Sequence, residues 1–426
     1  MNVKLTPLTL AIFLAIHGCS SSDAPEQQLP GVTSAGAAGT SATAGAVAAG
    51  TSNGGVGATG SDVGGAGSAG AAALGGAGTQ AGGVSAGGSE PGTAGSGAGM
   101  GGAAGSSGGS VAGGDRCDVA KLDPAKPPKL LNLTGNLGTH DPVVIEADGR
   151  FYLFSTGNNI GAKTSSDLLS WQGASDVLTA GTRPAWLAQQ VPGVSNLWAP
   201  DISFFGGAYH LYYSASTFGK NRSCIGHLSR ASLTAGSWAD KGEVICSNVT
   251  DKVNYNAIDP NVVVDTNGTP WLSFGSFWGG IQLIKLKETG ERDSTSLVNI
   301  AARPSAGGAL EAPFIVRRCG FYYLFVSFDR CCQGASSTYN IRVGRSANVE
   351  GPYVDQAGKA MLEGGGTLVL QGGDRYKGPG HNAVIFSKNA AYNVYHSYDA
   401  NSNGASVLRI AELAFDTEGW PVSGGP

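Results

Sequence analysis

The sequence predicts an all-β fold, a five-bladed β-propeller, on two observations. A short acidic or polar corner, usually carrying a proline, occurs five times: His140-Asp141-Pro142, Ala199-Pro200-Asp201, Ile258-Asp259-Pro260-Asn261, Glu311-Ala312-Pro313 and Gly380-His381-Asn382. Each is followed by an aromatic-rich strand, beginning at Phe151, Tyr209, Trp271, Phe321 and Tyr392. The unit thus repeats roughly every 50 to 70 residues, near the blade length of kelch-type arrays.

Taken in order, the chain opens on an export signal over 1–19. Lys4 supplies the positive start, Leu8 to Ile16 an apolar core too short to span a bilayer, and His17-Gly18-Cys19 the exit. Ile16 three residues before Cys19, and Gly18 directly before it, resemble a bacterial lipobox, in which the cysteine is lipidated; His17 is an uncommon residue there, and an ordinary cleaved signal is the alternative. Both predict export. Ser20 in place of the aspartate linked to inner-membrane retention favours an outer-membrane or cell-surface lipoprotein. Residues 20–114 are almost wholly Gly, Ala, Ser and Thr, without an aromatic residue, Lys or Arg, and cannot build a core. They read as a disordered tether whose root-mean-square span is roughly 50 to 60 Å.

The predicted folded region is 115–426. Strand segments such as Tyr209-His210-Leu211-Tyr212-Tyr213-Ser214 alternate in polarity, and Asp148-Gly149 and Asn267-Gly268 mark tight hairpins. No long helical period interrupts them, and closing the sheets into a ring would protect their edges. Strands near 408–410 and 412–414 are expected to complete the last blade. A net charge of −4, a pI near 5.9 and the lack of a basic stripe exclude nucleic acid and polyanions as implied partners; a neutral polymer fits better.

Apart from Cys19 there are six cysteines, an even number in an exported chain, so disulfides are expected. Cys224 with Cys246 falls within one blade, Cys319 is expected to pair with Cys331 or Cys332, and the partner of Cys117 is open. No CxxC spacing or cysteine–histidine cluster suggests zinc.

If equivalent positions ring one axis, Asp141, Asp259 and Glu311 converge on a common cavity, and carboxylates gathered in a cleft suit glycoside hydrolysis. Each alone would pass for a turn-capping residue beside proline. Asp201 follows its proline and is read as structural. Trp198, beside the cavity, offers a face for stacking on a sugar ring.

With these motifs the chain resembles glycoside hydrolase family 43, and within it the endo-acting α-1,5-L-arabinanases, a group of five-bladed propellers. The marks are HDP at 140–142, NLWAPDI at 196–202, NAIDPN at 256–261, WLSFGSFWGGI at 271–281, EAPFI at 311–315, YLFVSFDRCC at 323–332 and GPGHN at 378–382, covering about 140–421. The resemblance implies inverting hydrolysis of arabinan, as in pectin side chains, with Asp141 as general base, Glu311 as general acid and Asp259 raising the pKa of the acid and orienting it. It also implies that Asn256, Ser276, Phe277 and Trp278 help line the substrate cleft. By the same resemblance His381 holds a calcium or similar hub ion largely through water, although spacing alone would not propose one histidine for a hard cation. Arg409 is expected at a hub carboxylate or in a surface salt bridge. His210, His227 and His396 acquire no role. A monomer is expected. The rival readings are an exo-acting arabinofuranosidase or β-xylosidase, a fructan-active propeller, whose corner context and Glu-Cys pattern this chain lacks, and a surface carbohydrate-binding propeller without turnover.

Overall fold

The computed structural model describes residues 116–426; the signal and Cys19, the tether and Asp115 lie outside the described residues. Five sheets follow one another along the chain, one per blade of a five-bladed β-propeller. Blade 1 contains Val143–Ala147, Arg150–Ser155, Gly161–Ser165 and Ser170–Ala174, and blade 2 Leu197–Phe205, Ala208–Ala215, Ser223–Arg230 and Ala239–Ser247. Blade 3 contains Asn261–Val264, Pro270–Phe274, Ile281–Lys285 and Val298–Ala301, and blade 4 Leu310–Arg318, Phe321–Phe328, Asn340–Ser346 and Thr367–Gln371. Blade 5 is Tyr376–Ser387, Ala390–Asp399, Ala405–Phe415 and Pro421–Ser423. The aromatic-rich segments form the second strand of each blade, and Tyr213, Phe274, Tyr323, Phe325 and Tyr395 on them are buried. The two strands expected at 408–410 and 412–414 are one, Ala405–Phe415, because no turn residue separates them, and the true last strand is Pro421–Ser423.

That short last strand leaves much of Ala405–Phe415 without an outer partner. The N-terminal segment covers it: Leu131 N–H donates to Ile410 O, Glu412 N–H to Lys129 O and Leu408 N–H to Leu137 O. The segment then crosses to blade 1, where Thr134–Gly135 pairs in parallel with the outer strand Ser170–Ala174. Chain start and chain end thereby close the ring and cover a sheet edge. The Cys117–Cys319 disulfide ties the start of the described chain to blade 4, and Cys224–Cys246 bridges two paired strands of blade 2 as expected. Cys319 therefore does not pair with either of the adjacent cysteines; Cys331 and Cys332 are bonded to each other.

Every acidic or polar corner is a β-bulge at the same place on the innermost strand. In blades 2, 4 and 5 the register slips between Trp198 and Asp201, Glu311 and Phe314, and Gly380 and Ala383, with one extra residue on the inner strand each time. Blades 1 and 3 do the same just before their ladders begin: Thr156 N–H donates to His140 O and Gly275 N–H to Ile258 O. The second residue of each bulge has left-handed backbone, with φ of 52° at Asp141, 46° at Ala199, 58° at Asp259, 55° at Ala312 and 48° at His381. Such a bulge re-aims side chains and bends the strand.

Each bulge exposes a backbone N–H at the hub, and the preceding blade satisfies it. Ala199 N–H donates to Thr156 Oγ1 at 2.8 Å, Asp259 N–H to Ser214 Oγ at 2.9 Å and His381 N–H to Ser327 Oγ at 2.8 Å. Asp141 N–H donates to His396 Nδ1 at 3.1 Å, which carries the ring of bonds from blade 5 back to blade 1. Thr156, Ser214, Ser327 and His396 all stand on the second strand or directly after it, opposite the first residue of their own bulge. In blade 3 that place is Gly275, which has no side chain; the Asp259 carboxylate accepts Ala312 N–H instead, at 3.2 Å.

Gly275 is required there. Its φ is 136°, and a Cβ would lie 2.3 Å from the carbonyl oxygen of Gly280. Gly275→Ala is expected to destabilise the fold by roughly 2–4 kcal/mol, as strained backbone against a fixed carbonyl does. A urea-unfolding midpoint equal to that of the wild type would contradict it.

Candidate functional site

The five bulges place their first and second residues around one hub. Asp141, Asp259 and Glu311 are all nearly fully buried, at 8%, 6% and 8% exposure. Asp141 and Asp259 occupy the second, left-handed bulge position, whereas Glu311 occupies the first, its place in the second position being taken by Ala312. A longer side chain one residue earlier thus reaches the same hub from a different direction.

Their surroundings differ. Asp141 is encircled by imidazoles: His140 Nδ1 is 2.8 Å from Oδ2, His381 Nδ1 3.2 Å from Oδ1 and His396 Nδ1 3.6 Å from Oδ1. Thr156 Oγ1 donates a further hydrogen bond to Oδ2 at 2.6 Å. Burial alone would raise its pKa, but His140 above all, with a smaller effect from His381, whose own pKa burial lowers, outweighs it and holds the carboxyl well below the usual range, so it is ionised. Asp141 in turn pushes His140 upward against the effect of burial, whereas burial keeps His396 neutral.

Glu311 lies in the opposite kind of environment. Burial pushes its pKa up, opposed by hydrogen bonds from Ser276 and Tyr339. Ser276 Oγ donates to Oε2 at 2.6 Å and Tyr339 Oη donates to Oε1. Asp259 is also pushed well above its ordinary value, first by burial and then by the negative charges of Glu311 and Asp141. Buried carboxyls that repel one another this way cannot all ionise at neutral pH, so an ionised Asp141 shares the hub with carboxyl groups that favour their protonated form.

The expected sugar-contacting residues lie on two sides of this group. Trp198, half-buried, holds the first bulge position of blade 2. Ser276, Phe277 and Trp278 form a turn against blade 4, where Phe277 N–H donates to Leu310 O and Ser276 forms a bridge with Glu311. Trp278 is 44% exposed and lines an open pocket of about 390 Å³ with Val191, Pro192, Thr217 and the 219–222 loop. Asn256 is buried, and its side-chain oxygen accepts from Ser223 Oγ at 2.7 Å.

Asp201 joins blades instead of facing the cavity: its carboxylate accepts from Asn261 Nδ2 at 3.1 Å and Val262 N–H at 2.9 Å, and burial pushes its pKa up to about 6. Arg409 does neither of the things expected of it. Its guanidinium packs over the Tyr376 ring, 3.8 Å from the centroid, because the third strand of blade 5 keeps it away from the hub carboxylates.

Sequence reasoning passed over His140, His396, Tyr339 and Tyr398. His140 is the first bulge residue of blade 1, stacks on His396 at 4.0 Å and bonds Tyr398 Oη through Nε2 at 2.8 Å. The available signal was alternation: His396 and Tyr398 are two apart on one strand and face the same side. For Tyr339 it was Gly380, where a Cβ would fall 2.0 Å from the Tyr339 ring, so the missing side chain makes room for it.

As a calcium site in direct contact, this set does not fit. Calcium takes roughly six to eight oxygens, while the residues gathered here offer three imidazoles turned onto a single carboxylate. A hydrated ion would be the form these residues could hold, His381 offering Nε2 because Nδ1 faces Asp141.

Three comparisons place this geometry among known proteins. The model of the glycosyl hydrolases family 43 matches residues 132–421. The chain belongs to that family. It is 46% identical over 287 residues to an extracellular endo-α-(1→5)-L-arabinanase of Bacillus subtilis, an alignment covering 66% of this chain and 86% of the relative. It is 41% identical over 298 residues to an extracellular exo-α-(1→5)-L-arabinofuranosidase of Cellvibrio japonicus, covering 66% and 85%. Among solved structures, a family 43 endo-arabinanase from Bacillus licheniformis superimposes with a TM-score of 0.64 at 45% identity, covering 68% of this chain and 99% of the other. This chain is accordingly a glycoside hydrolase of the family.

The hydrogen bonds to Glu311 stabilise its charged form, so removing them must raise its pKa further. Ser276→Ala and Tyr339→Phe are each expected to move the Glu311 carboxyl band in infrared difference titration to higher pH; a move to lower pH would contradict the assignment of these contacts.

Proposed function

We propose that this family 43 hydrolase cleaves internal α-1,5-L-arabinofuranosidic bonds of arabinan with inversion, with Asp141 as general base, Glu311 as general acid and Asp259 as the modulator of the acid. The observation that carries the reading is the split between carboxyls at one hub: Asp141 held ionised by its imidazoles, Glu311 raised by burial. An inverting hydrolase needs this pair, one carboxylate to take a proton from water and one carboxyl to give a proton to the leaving oxygen.

Asp259 contributes in two ways. Its carboxyl and that of Glu311 disfavour each other's ionisation, and its bond to Ala312 N–H fixes the residue next to the acid. Trp198, Phe277 and Trp278 offer aromatic faces to the sugars, while Ser276 holds the acid and Asn256 has its amide nitrogen left to donate. A hydrated calcium ion at His381 would add positive field at the hub. The substrate follows from the relatives, named for α-1,5-arabinan, and the same relatives, named extracellular, support export. We further propose lipid anchoring at Cys19, with pectin-borne arabinan as the polymer met outside the cell and the chain acting as a monomer.

The exo-acting reading has its own support in the Cellvibrio japonicus relative at 41% identity. Products separate the two. On linear α-1,5-arabinan, mixed oligosaccharides and an early viscosity drop are expected; monomer from the first time point would move the activity to the exo class, and binding without products would leave a carbohydrate-binding propeller. Proton NMR of the first product should show the inverted anomer.

Asp141→Asn and Glu311→Gln are each expected to lower kcat by about 10²–10⁴-fold. The pH profile should fall on the alkaline side as Glu311, raised by burial, loses its proton. Asp259→Asn keeps an acceptor for Ala312 N–H and removes the ionisable group, whereas Asp259→Ala removes both. The first is expected to lose activity at wild-type stability and the second to lose stability too, by roughly 1–3 kcal/mol for the unpaired N–H; equal unfolding midpoints for the two would contradict the double role.

A further inference from the structure

Cys331 and Cys332 are bonded to each other in the loop between the second and third strands of blade 4. The other two disulfides join separate parts of the chain, over 202 and 22 residues. A bond between neighbours, with a separation of 1, encloses no chain loop and so does little for stability by restricting the unfolded state. Its effect must be local.

Locally, it controls one peptide group. The bond closes a small ring that contains the peptide between the two cysteines, and Cys332 is held with φ of 65°, a left-handed conformation sparsely populated by residues other than glycine. The N–H of that peptide donates to Tyr398 Oη at 2.8 Å. Tyr398 Oη is in turn 2.8 Å from His140 Nε2, and His140 Nδ1 is 2.8 Å from Asp141 Oδ2. An ionised carboxylate only accepts, so His140 presents Nδ1–H to Asp141, and Tyr398 fixes the opposite edge of the ring. Cys332 itself is exposed, with Sγ 3.8 Å from His140 Nε2, so the sulfur also borders this edge. The loop is pinned at its base, where Arg330 O accepts from Thr338 and Tyr339 N–H, and its far end supplies the Tyr339 hydroxyl to Glu311.

We propose that the Cys331–Cys332 disulfide is a positioning element for Asp141, acting through Tyr398 and His140; the proposal rests on the reading of Asp141 as general base. By locking the Cys332 N–H onto Tyr398, it holds the His140 ring edge-on to the base and limits the ways in which the carboxylate can turn. Its loss lowers turnover without changing how the polymer is bound.

The test compares Cys331→Ser/Cys332→Ser, Tyr398→Phe and the triple variant in the full chain. The serine pair and Tyr398→Phe are each expected to lower kcat roughly ten- to hundredfold, the scale of a misplaced catalytic group. KM should stay within about twofold, as when ground-state binding is untouched. The triple variant should be no slower than Tyr398→Phe, because both changes break one chain of contacts. At a pH where His140 is neutral, nitrogen-15 NMR should show its one proton fixed on Nδ1 in the wild type and exchanging between both nitrogens in the variants. Should the serine pair fail to fold, the native protein is reduced with a phosphine, which goes to its oxide with water while the disulfide becomes two thiols. Alkylation must map to Cys331 and Cys332 only, and reoxidation should restore kcat. A folded serine pair with wild-type kcat, effects that multiply in the triple variant, or an unchanged His140 spectrum overturns the proposal. Asp141→Asn serves as the control: if it remains active, the reading of the base falls; if it is inactive while the serine pair is unaffected, only the positioning role falls.

Discussion

The ring of hydrogen bonds at the hub is the constraint on which the rest of this propeller depends. Each inner strand carries a bulge whose second residue points its N–H away from its own sheet, and an unpaired buried N–H is costly. Four second-strand side chains, Thr156, Ser214, Ser327 and His396, reach across to the next blade to accept those protons. Asp201 and Asn261 add a further link one step along, binding Val262 and Ile315 N–H. Adjacent sheets are thereby fixed in rotation about the axis as well as packed, and the apolar surfaces between blades supply cohesion without having to supply register.

The same ring explains why chemistry resides at the hub. A bulge residue in left-handed backbone turns its side chain toward the axis, where neither its own strand nor the next can cover it fully. In blades 2 and 4 that residue is alanine and the position is silent; in blades 1 and 3 it is an aspartate. Where Gly275 leaves a cap missing, the Asp259 carboxyl supplies it, so one group both completes the ring and is coupled to the ionisation of Glu311. Where the cap is His396, a neutral imidazole stands against Asp141 and stacks on His140, whose raised pKa gives the ionised carboxylate a cationic neighbour. Scaffold and site are built from equivalent positions of one repeated unit.

How much of this was legible follows from the kind of signal each feature leaves. The corners announced themselves because a proline after a left-handed residue is local chemistry, and the second strands because burial between blades demands aromatic residues at alternate positions. The three carboxylates could be placed at one hub by counting repeats. The one-residue offset of Glu311 relative to Asp141 and Asp259 could not, since a bulge shifts register without altering composition. Closure by 129–138 was equally hidden: that segment alternates weakly, and its partner, Ala405–Phe415, lies at the far end of the chain. His396 reads as an ordinary strand residue until its opposite, Gly380, is known to be the first residue of a bulge. The cysteines failed for a related reason. Spacing suggested that Cys319 should meet one of its near neighbours in sequence, but pairing follows distance in the fold, and Cys117 lies beside it.

The environments of the two outer carboxyls follow from the register difference. A short aspartate at the second bulge position keeps its oxygens close to the backbone, within reach of side chains from its own and the preceding blade, and for Asp141 these are Thr156 and His140 of blade 1 and the rings of blade 5. A glutamate at the first position leaves the backbone one residue earlier and extends past it, where its contacts are the hydroxyls of Ser276 and Tyr339 and the charge of His140 acts on it only as a smaller effect. Hydroxyl donors offset burial only in part, whereas imidazoles close to a carboxylate reverse it. Exchanging the two residue types would therefore not exchange the roles: an aspartate at 311 would fall short of Ser276 and Tyr339, and a glutamate at 141 would overrun the imidazoles. The separation of acid from base is written into which bulge position each carboxyl occupies.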